Sequence, residues 1–152
     1  MEKLIRNENS FSIDFKKLNL LVMIVLSFIT LGAYIGVWFL RNRHSIENFN
    51  YKTGIHFGLW RLFTIISFIF LFIQIFGNFV LSDYGIANLE SYEIIFNFFF
   101  IGLLYYSIFR LREILEQEVD VPLKNYLLFI FHVFYIQYKM NQIQTLQLKV
   151  KR

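Results

Sequence analysis

Residues 62–109 read LFTIISFIFLFIQIFGNFVLS (62–82), DYGIANLESYE (83–93) and IIFNFFFIGLLYYSIF (94–109), so two uncharged apolar runs enclose a short acidic stretch. A helix of about 20 apolar residues spans the hydrocarbon core of a bilayer. The first run has 21 residues and the second has 16. We therefore expect an all-α integral membrane protein whose centre is a two-helix transmembrane hairpin. Its helices would be 62–82 and 94–119, the latter with a cytoplasmic extension, around an external acidic loop at 83–93.

The composition supports a membrane protein. Of the 152 residues, 57% are hydrophobic, 20% are aromatic and 17% are charged, whereas about a quarter of the residues in a soluble domain are charged. These values argue against a soluble enzyme and against a disordered regulator. Because the chain has no cysteine, a disulfide framework, a thiolate zinc site and an iron–sulfur cluster are excluded.

The lysines and arginines indicate which apolar runs cross the membrane. Two further uncharged runs lie at 18–40 and 125–138, and the second of these has only 14 residues. If all four runs crossed, the two sides would carry 8 and 7 basic residues, whereas all 15 lie on one side if only the hairpin crosses. Basic residues beside membrane segments stay in the cytoplasm. We therefore predict that neither 18–40 nor 125–138 crosses the membrane.

The same distribution assigns the polar segments to sides of the membrane. The N-terminal tail 1–17, the basic stretch 41–61 and the basic C-terminal tail 139–152 are expected in the cytoplasm, so both termini lie there. The stretch 83–93 contains no Lys or Arg and is expected outside.

The run 18–40 must then enter and leave the membrane on the same side, and Thr30-Leu31-Gly32 offers the break. Inside a helix, glycine is less stable than alanine by about 1 kcal/mol, and it readily adopts the backbone angles of a turn. Each limb would reach about halfway into a hydrocarbon core of ~30 Å. We predict a broken, re-entrant helix at 18–40 and a short interfacial or re-entrant helix at 125–138. A signal peptide cleaved near Gly32 is disfavoured because the apolar run continues to Leu40.

A motif surrounds the predicted break: Thr30-Leu31-Gly32-Ala33-Tyr34, followed by Trp38 and Arg41. The chain resembles a family of small bacterial membrane proteins of unknown function, marked by T-L-G-[IA]-Y, a tryptophan and a basic residue. Ala33 stands where isoleucine is more usual in that family, and 134–141 resembles the apolar stretch that closes many members. The resemblance implies a multi-pass protein of the bacterial cytoplasmic (inner) membrane. It implies no activity, ligand or catalytic residue.

A polar stripe follows one face of the first hairpin helix, formed by Thr64, Ser67, Gln74 and Asn78. In the second helix, Asn97 lies at the depth that an antiparallel arrangement would give Asn78. We interpret these two amides as a clasp between the helices, worth about 0.6–2 kcal/mol. The alternative is that the stripe lines a narrow pore built from several copies of the chain.

Ionisable residues are nearly absent from the four apolar runs, which contain no Asp, Glu, Lys or Arg and a single histidine, His132. Ion-coupled transporters usually hold an ionisable side chain at membrane depth, so this pattern argues against one. We interpret His132 as an imidazole bonded to a backbone carbonyl, with a proton relay as the alternative.

The sequence has no phosphate-binding loop, nucleophile elbow or zincin helix. We therefore expect neither an enzyme nor a cofactor or metal site. The basic cytoplasmic face is expected to bind anionic lipid head groups, at about 1 kcal/mol per basic residue, and not nucleic acid. The favoured hypothesis is a membrane-organising subunit or one that binds a membrane-protein partner. The alternative is a homo-oligomeric pore or membrane effector lined by the stripe at 64–78.

Overall fold

The computed structural model describes residues 15–49, 54–119 and 122–150, and this part of the chain is helical with no β-strand. The helices are α1 (Leu20–Ile29), α2 (Ala33–Arg41), α3 (Arg43–Glu47), α4 (Phe57–Val80), α5 (Asp83–Val119) and α6 (Asn125–Val150). Two stretches, Phe57–Gly77 and Asp83–Glu118, are long and apolar enough to cross a membrane. The expectation of an all-α protein with two candidate membrane-spanning helices is therefore confirmed.

Most side chains of α4 and α5 point away from the rest of the protein. In the most apolar part of Phe57–Gly77 only 11% of the residues are buried inside the protein. In the most apolar part of Asp83–Glu118 the buried share is 22%. The large exposed apolar side chains include Phe72, Phe79, Phe98 and Phe99. A helix that is apolar all round is stable only in apolar surroundings, and here the protein itself does not supply them.

The helices α4 and α5 run antiparallel. Trp60 of α4 donates its Nε1–H to Ser107 Oγ of α5 at 3.0 Å. Further along α4, Gln74 Nε2 donates to both carboxylate oxygens of Glu93, at 3.0 and 3.2 Å. From the first contact to the second, the residue number rises by 14 on α4 and falls by 14 on α5. The two helices therefore keep one register along the hairpin.

The acidic stretch 83–93 is helical, which corrects the expectation of a loop. Asp83 lies in the first turn of α5, where a carboxylate interacts favourably with the helix dipole. Ile86 and Leu89 line a cleft together with Ile73 of α4. The charges of this stretch suggested a loop, but its apolar side chains pair with the end of α4 and continue the helix.

The run 18–40 is broken at residues 30–32, where the sequence predicted the break. Leu31 has a φ of 49° and Gly32 a φ of 88°, so both lie in the left-handed region that stops a right-handed helix. The helix resumes as α2 immediately after Gly32.

Helix α2 packs closely against the first half of α4. The Phe39 ring stacks on Trp60 with 4.0 Å between the ring centroids. Three residues earlier in α2, Gly36 faces Thr64, one turn further along α4, so the two helices are antiparallel. The absence of a side chain at Gly36 is what allows this approach.

Helix α6 extends beyond the predicted segment 125–138, because residues 139–150 continue it instead of forming a separate tail. It is kinked at His132, whose φ of 45° and ψ of −125° are not helical. Past the kink, the Tyr135 hydroxyl lies 3.5 Å from the backbone amide of Lys124. In a straight helix these residues would stand about 16 Å apart along the axis, so the kink turns the chain back sharply.

The core lies where α2, the start of α4, the end of α5 and the second part of α6 meet. Its largest fully buried side chains are Trp38, Trp60, Phe39, Met23, Ile46, Ile108, Leu111, Ile114, Leu115, Leu128, Ile136 and Met140. Both tryptophans of the protein belong to this core. The far halves of α4 and α5 extend beyond it.

The Gly36→Ala substitution is expected to lower the free energy of unfolding. A Cβ at position 36 would lie 2.1 Å from Thr64 Oγ1, and this hydroxyl donates to the Trp60 carbonyl at 2.6 Å. Either the hydroxyl must move or α2 must separate from α4, at a cost of about 1–3 kcal/mol. Denaturant unfolding in detergent, followed by tryptophan fluorescence, measures the change.

The matched control is Gly58→Ala, another glycine inside a helix. A Cβ at Gly58 has nothing within 4 Å, so this change should stabilise α4 by up to about 1 kcal/mol. Adding Thr64→Ala to Gly36→Ala should recover part of the loss. Equal stability of the two single glycine variants would contradict the close contact between α2 and α4.

Candidate functional site

The turn between α1 and α2 is closed by the side chain of Thr30. Its Oγ1 donates to the Leu26 carbonyl at 2.8 Å and accepts from the Tyr34 amide at 3.0 Å. The Gly32 amide donates to the Ser27 carbonyl at 2.7 Å, as in the usual left-handed end of a helix. The hydroxyl therefore joins the last turn of α1 to the first turn of α2.

The other residues of the motif shape the turn and pack it against the core. Gly32 adopts the left-handed backbone that only glycine accepts without strain. Ala33 is buried, and Tyr34 is half-buried against the core. A Cβ at Gly32 would lie 3.9 Å from the Phe100 ring, so the turn sits beside the middle of α5.

Trp38 connects α2 to α6 through a buried hydrogen bond. Its Nε1–H donates to Gln137 Oε1 at 2.7 Å, and both side chains are fully buried. Gln137 Nε2 in turn donates to Asn141 Oδ1 at 2.8 Å and to the Lys16 carbonyl at 3.3 Å. The side-chain polar atoms of this pair are thus hydrogen-bonded within the protein, as their burial requires.

Three amide side chains of α6, Gln137, Asn141 and Gln144, form a cluster that we name the amide clamp. They hold three backbone carbonyls of the non-helical segment 15–18: Gln137 holds that of Lys16, Asn141 that of Leu18 at 2.7 Å, and Gln144 that of Phe15. Sequence reasoning missed the clamp. The spacing of four and three residues, which places the amides on one helical face, is the signal that could have found it.

The amide clamp fixes both ends of the run 18–40 at one place. Leu18, at the start of the run, is bonded to Asn141, and Trp38, near its end, is bonded to Gln137. The two amides lie one helical turn apart, about 6 Å along α6. The start and the end of the run therefore lie at nearly the same height along α6.

Arg41 is exposed at the end of α2 and takes no part in this network. A cation at this position interacts favourably with the carbonyl end of the helix. The next residue, Asn42, is buried and donates its Nδ2–H to the Trp38 carbonyl at 3.0 Å. Only the Arg41 side chain is thus directed outward here, because the chain remains in the core at Asn42 and Ile46.

The structure separates the members of the polar stripe on α4. Thr64 is buried, faces Gly36 and bonds to the carbonyl of Trp60. Ser67, one turn further, is half-buried. Thr64 therefore serves the packing of α2 on α4.

At the other end of the stripe, Gln74 contacts α5 through Glu93. The predicted partner Asn97 is exposed and makes no hydrogen bond to another described residue. The side chain of Asn78 lies outside the described residues, so the clasp between Asn78 and Asn97 stays a prediction. The amide–carboxylate contact of Gln74 and Glu93 was missed because 83–93 was expected to be a loop.

His132 contacts a tyrosine, where a backbone carbonyl was expected. Its Nε2 lies 2.8 Å from the Tyr105 hydroxyl, which also lies 3.1 Å from the Phe129 carbonyl. The Tyr105 hydroxyl thus links the imidazole to the turn that precedes the kink.

Within the described residues there is no group of three or more His, Cys, Asp or Glu side chains placed to hold a metal ion. The chain matches no protein-family model, no curated protein and no solved structure. The resemblance of the motif at 30–41 to a family of small bacterial membrane proteins therefore stays a prediction.

The Gln137→Leu substitution is expected to lower the free energy of unfolding by about 1–3 kcal/mol, because it leaves the buried Trp38 Nε1–H without an acceptor. Denaturant unfolding measures the loss. Gln142→Leu is the matched control, since Gln142 is exposed on the same helix and its replacement should change stability by no more than about 0.5 kcal/mol. Similar values for the two variants would rule out a structural role for the clamp.

Proposed function

We propose that this chain is a non-enzymatic, multi-pass protein of the bacterial inner membrane that organises the membrane or docks a membrane-protein partner. In this proposal α4 and α5 cross the bilayer, and both termini lie in the cytoplasm. The run 18–40 inserts as a re-entrant hairpin into the cytoplasmic leaflet. The observation that carries the proposal is that both ends of this run are bonded to one turn of α6.

The depth of the turn supports insertion to the middle of the bilayer. The turn lies beside Phe100, which stands ten residues before Arg110 in α5. Ten helical residues extend about 15 Å, which is half of a hydrocarbon core of ~30 Å. With Arg110 at the cytoplasmic boundary, Gly32 reaches the centre of the membrane and goes no further.

The exposed side chains of the re-entrant hairpin suit lipid. Phe28 is 77% exposed, Leu31 is 63% exposed, and Leu21 and Val25 are also exposed along α1. No polar side chain accompanies them on that face except at the start of the helix, where Asn19 caps it. An apolar surface of this kind is stable against acyl chains and unfavourable in water.

The hydrogen bonds of the turn remove the main objection to a break inside a membrane. Lipid offers no partner to a free N–H or C=O, so broken helices occur only where the protein satisfies these groups. Thr30 bonds on both sides of the break, and the Gly32 amide bonds to the Ser27 carbonyl. The kink of α6 at His132 is a second break of this type, and Phe129 and Ile130 beside it are exposed.

The basic side chains support a cytoplasmic level for the opposite end. Exposed lysines and arginines occur near both ends of the run 18–40 and at the cytoplasmic ends of the other helices, namely Lys16, Lys17, Arg41, Arg61 and Lys124. Each basic residue near an anionic membrane surface is worth about 1 kcal/mol of attraction. Anionic head groups are therefore the lipid partners of this face.

This shape suggests what the protein does. The hairpin of α1 and α2 and the first part of α6 add apolar volume to one leaflet only, while α4 and α5 anchor them. Such an asymmetric insertion alters the packing of lipids around the protein or presents an apolar surface to another membrane protein. We propose no catalytic role, because the polar side chains brought together in the core bond to each other and to backbone carbonyls.

The alternative of a homo-oligomeric pore lined by the stripe at 64–78 has less support. Thr64 is buried against Gly36 within one chain, and Gln74 is bonded to Glu93. These two members of the stripe are therefore not available together to face a lumen.

Cysteine labelling in intact cells tests the topology, and the chain has no native cysteine to interfere. Single cysteines are placed at the exposed positions Asn48, Ser82 and Thr145. An impermeant thiol reagent should label only Ser82→Cys, because only the connection between α4 and α5 lies outside. The other two should react after the membrane is permeabilised, which is the control for their reactivity.

Labelling of Asn48→Cys in intact cells would mean that the run 18–40 crosses the bilayer. It would overturn the re-entrant arrangement. Labelling of Thr145→Cys would overturn the cytoplasmic position of α6 in the same way.

A further inference from the structure

We infer that the groove between α4 and α5 binds one acyl chain of an anionic phospholipid, with the phosphate beside Arg110. This inference rests on the proposed membrane location. The groove has a volume of about 500 Å³ and is lined by Leu59 and Phe63 of α4 and by Phe99, Gly102, Leu103 and Tyr106 of α5. It is open on one side and lined almost wholly by apolar atoms, as a site for an acyl chain must be.

Gly102 provides the space in the groove. A Cβ at this position would have no atom within 4 Å, so no neighbour in the described part of the chain requires a glycine here. Its φ is not in the left-handed region either. Glycine inside a helix costs about 1 kcal/mol relative to alanine, and no contact within the described part of the chain offsets this cost. An acyl chain lying against the backbone of α5 would make use of the missing side chain.

The groove is polar at one end only. Tyr106 donates its hydroxyl proton to the Gly54 carbonyl at 3.2 Å. One turn further along α5, the guanidinium of Arg110 lies against Gly54, and its Nη1 pairs with Glu113. Arg110 Nε is buried and has no hydrogen-bond partner in the described part of the chain. The Arg110 side chain is 32% exposed, so the outer N–H groups of its guanidinium can bind a phosphate at this end, and guanidinium groups bind phosphate oxygens strongly.

The start of α4 adds positive potential to the same end. Helix α4 begins at Phe57, three residues after Gly54, and no side chain caps its N-terminus. The free amides and the dipole of a helix N-terminus favour a nearby anion. An occupant that is apolar along the groove and negative at the Arg110 end is an anionic phospholipid.

The binding test uses the purified full chain in mild detergent, exchanged with phosphatidylglycerol or phosphatidylcholine of identical acyl chains, and native mass spectrometry. The wild-type chain should retain one phosphatidylglycerol, and retain it better than phosphatidylcholine. Gly102→Leu fills the groove and should lower the retained fraction of both lipids about tenfold. Arg110→Gln should remove the preference for phosphatidylglycerol while leaving the groove open.

The matched control is Ala87→Leu, which adds apolar volume to an exposed position of α5 outside the groove and should bind as the wild type does. Gly102→Ala guards against misfolding of the larger variant. It should preserve or raise the thermal stability and still lower lipid retention, by less than Gly102→Leu.

Three outcomes would overturn the lipid site. The wild-type chain could retain the two lipids equally, or Gly102→Leu could bind as Ala87→Leu does. A homodimer lost only in Gly102→Leu would assign the groove to a second copy of the chain. None of these outcomes changes the cysteine-labelling pattern, so failure of the lipid site and failure of the proposed topology are distinguishable.

Discussion

The break between α1 and α2 is possible only because its backbone groups are bonded within the protein, and the rest of the structure depends on this constraint. Thr30 supplies one hydroxyl that serves both helices, and Gly32 supplies the left-handed backbone that ends the first. Once the chain turns there, α2 runs back along α4, where Gly36 allows close contact with Thr64. Without the turn, the run would continue as one straight helix and none of the contacts of Trp38 could form.

The second consequence of the turn is that the two ends of the α1–α2 hairpin lie close together. Trp38 reaches Gln137, and Leu18 reaches Asn141, so α6 holds together two parts of the chain that are twenty residues apart. Because the polar groups of Trp38 and Gln137 are buried, separating either of them from its partner carries a large cost. The amide clamp therefore fixes the hairpin as a unit on the anchor of α4 and α5. In the proposed re-entrant arrangement, this unit would keep its apolar volume in one leaflet.

The sequence predicted the elements that local chemistry determines. Glycine and threonine placed the break at 30–32, and run length identified the two long apolar helices. Contacts between distant residues escaped prediction. The helical stretch 83–93 lines a cleft together with the end of α4, and the kinked residue His132 contacts Tyr105, twenty-seven residues away. The pairing of Trp38 with Gln137 joins residues 99 positions apart, which no local pattern encodes. The polar stripe is regularly spaced in the sequence, yet its members contact different helices: Thr64 contacts α2 and Gln74 contacts α5.

The most direct test of this account is the distance between the two ends of the run 18–40 in a lipid bilayer. Spin labels at the exposed residues Lys17 and Arg41, in the chain reconstituted into liposomes, report it by double electron–electron resonance. The re-entrant arrangement predicts a single distance well below the length of an unbroken helix. A distance of about 36 Å, which 24 residues of straight helix would span, would contradict the account.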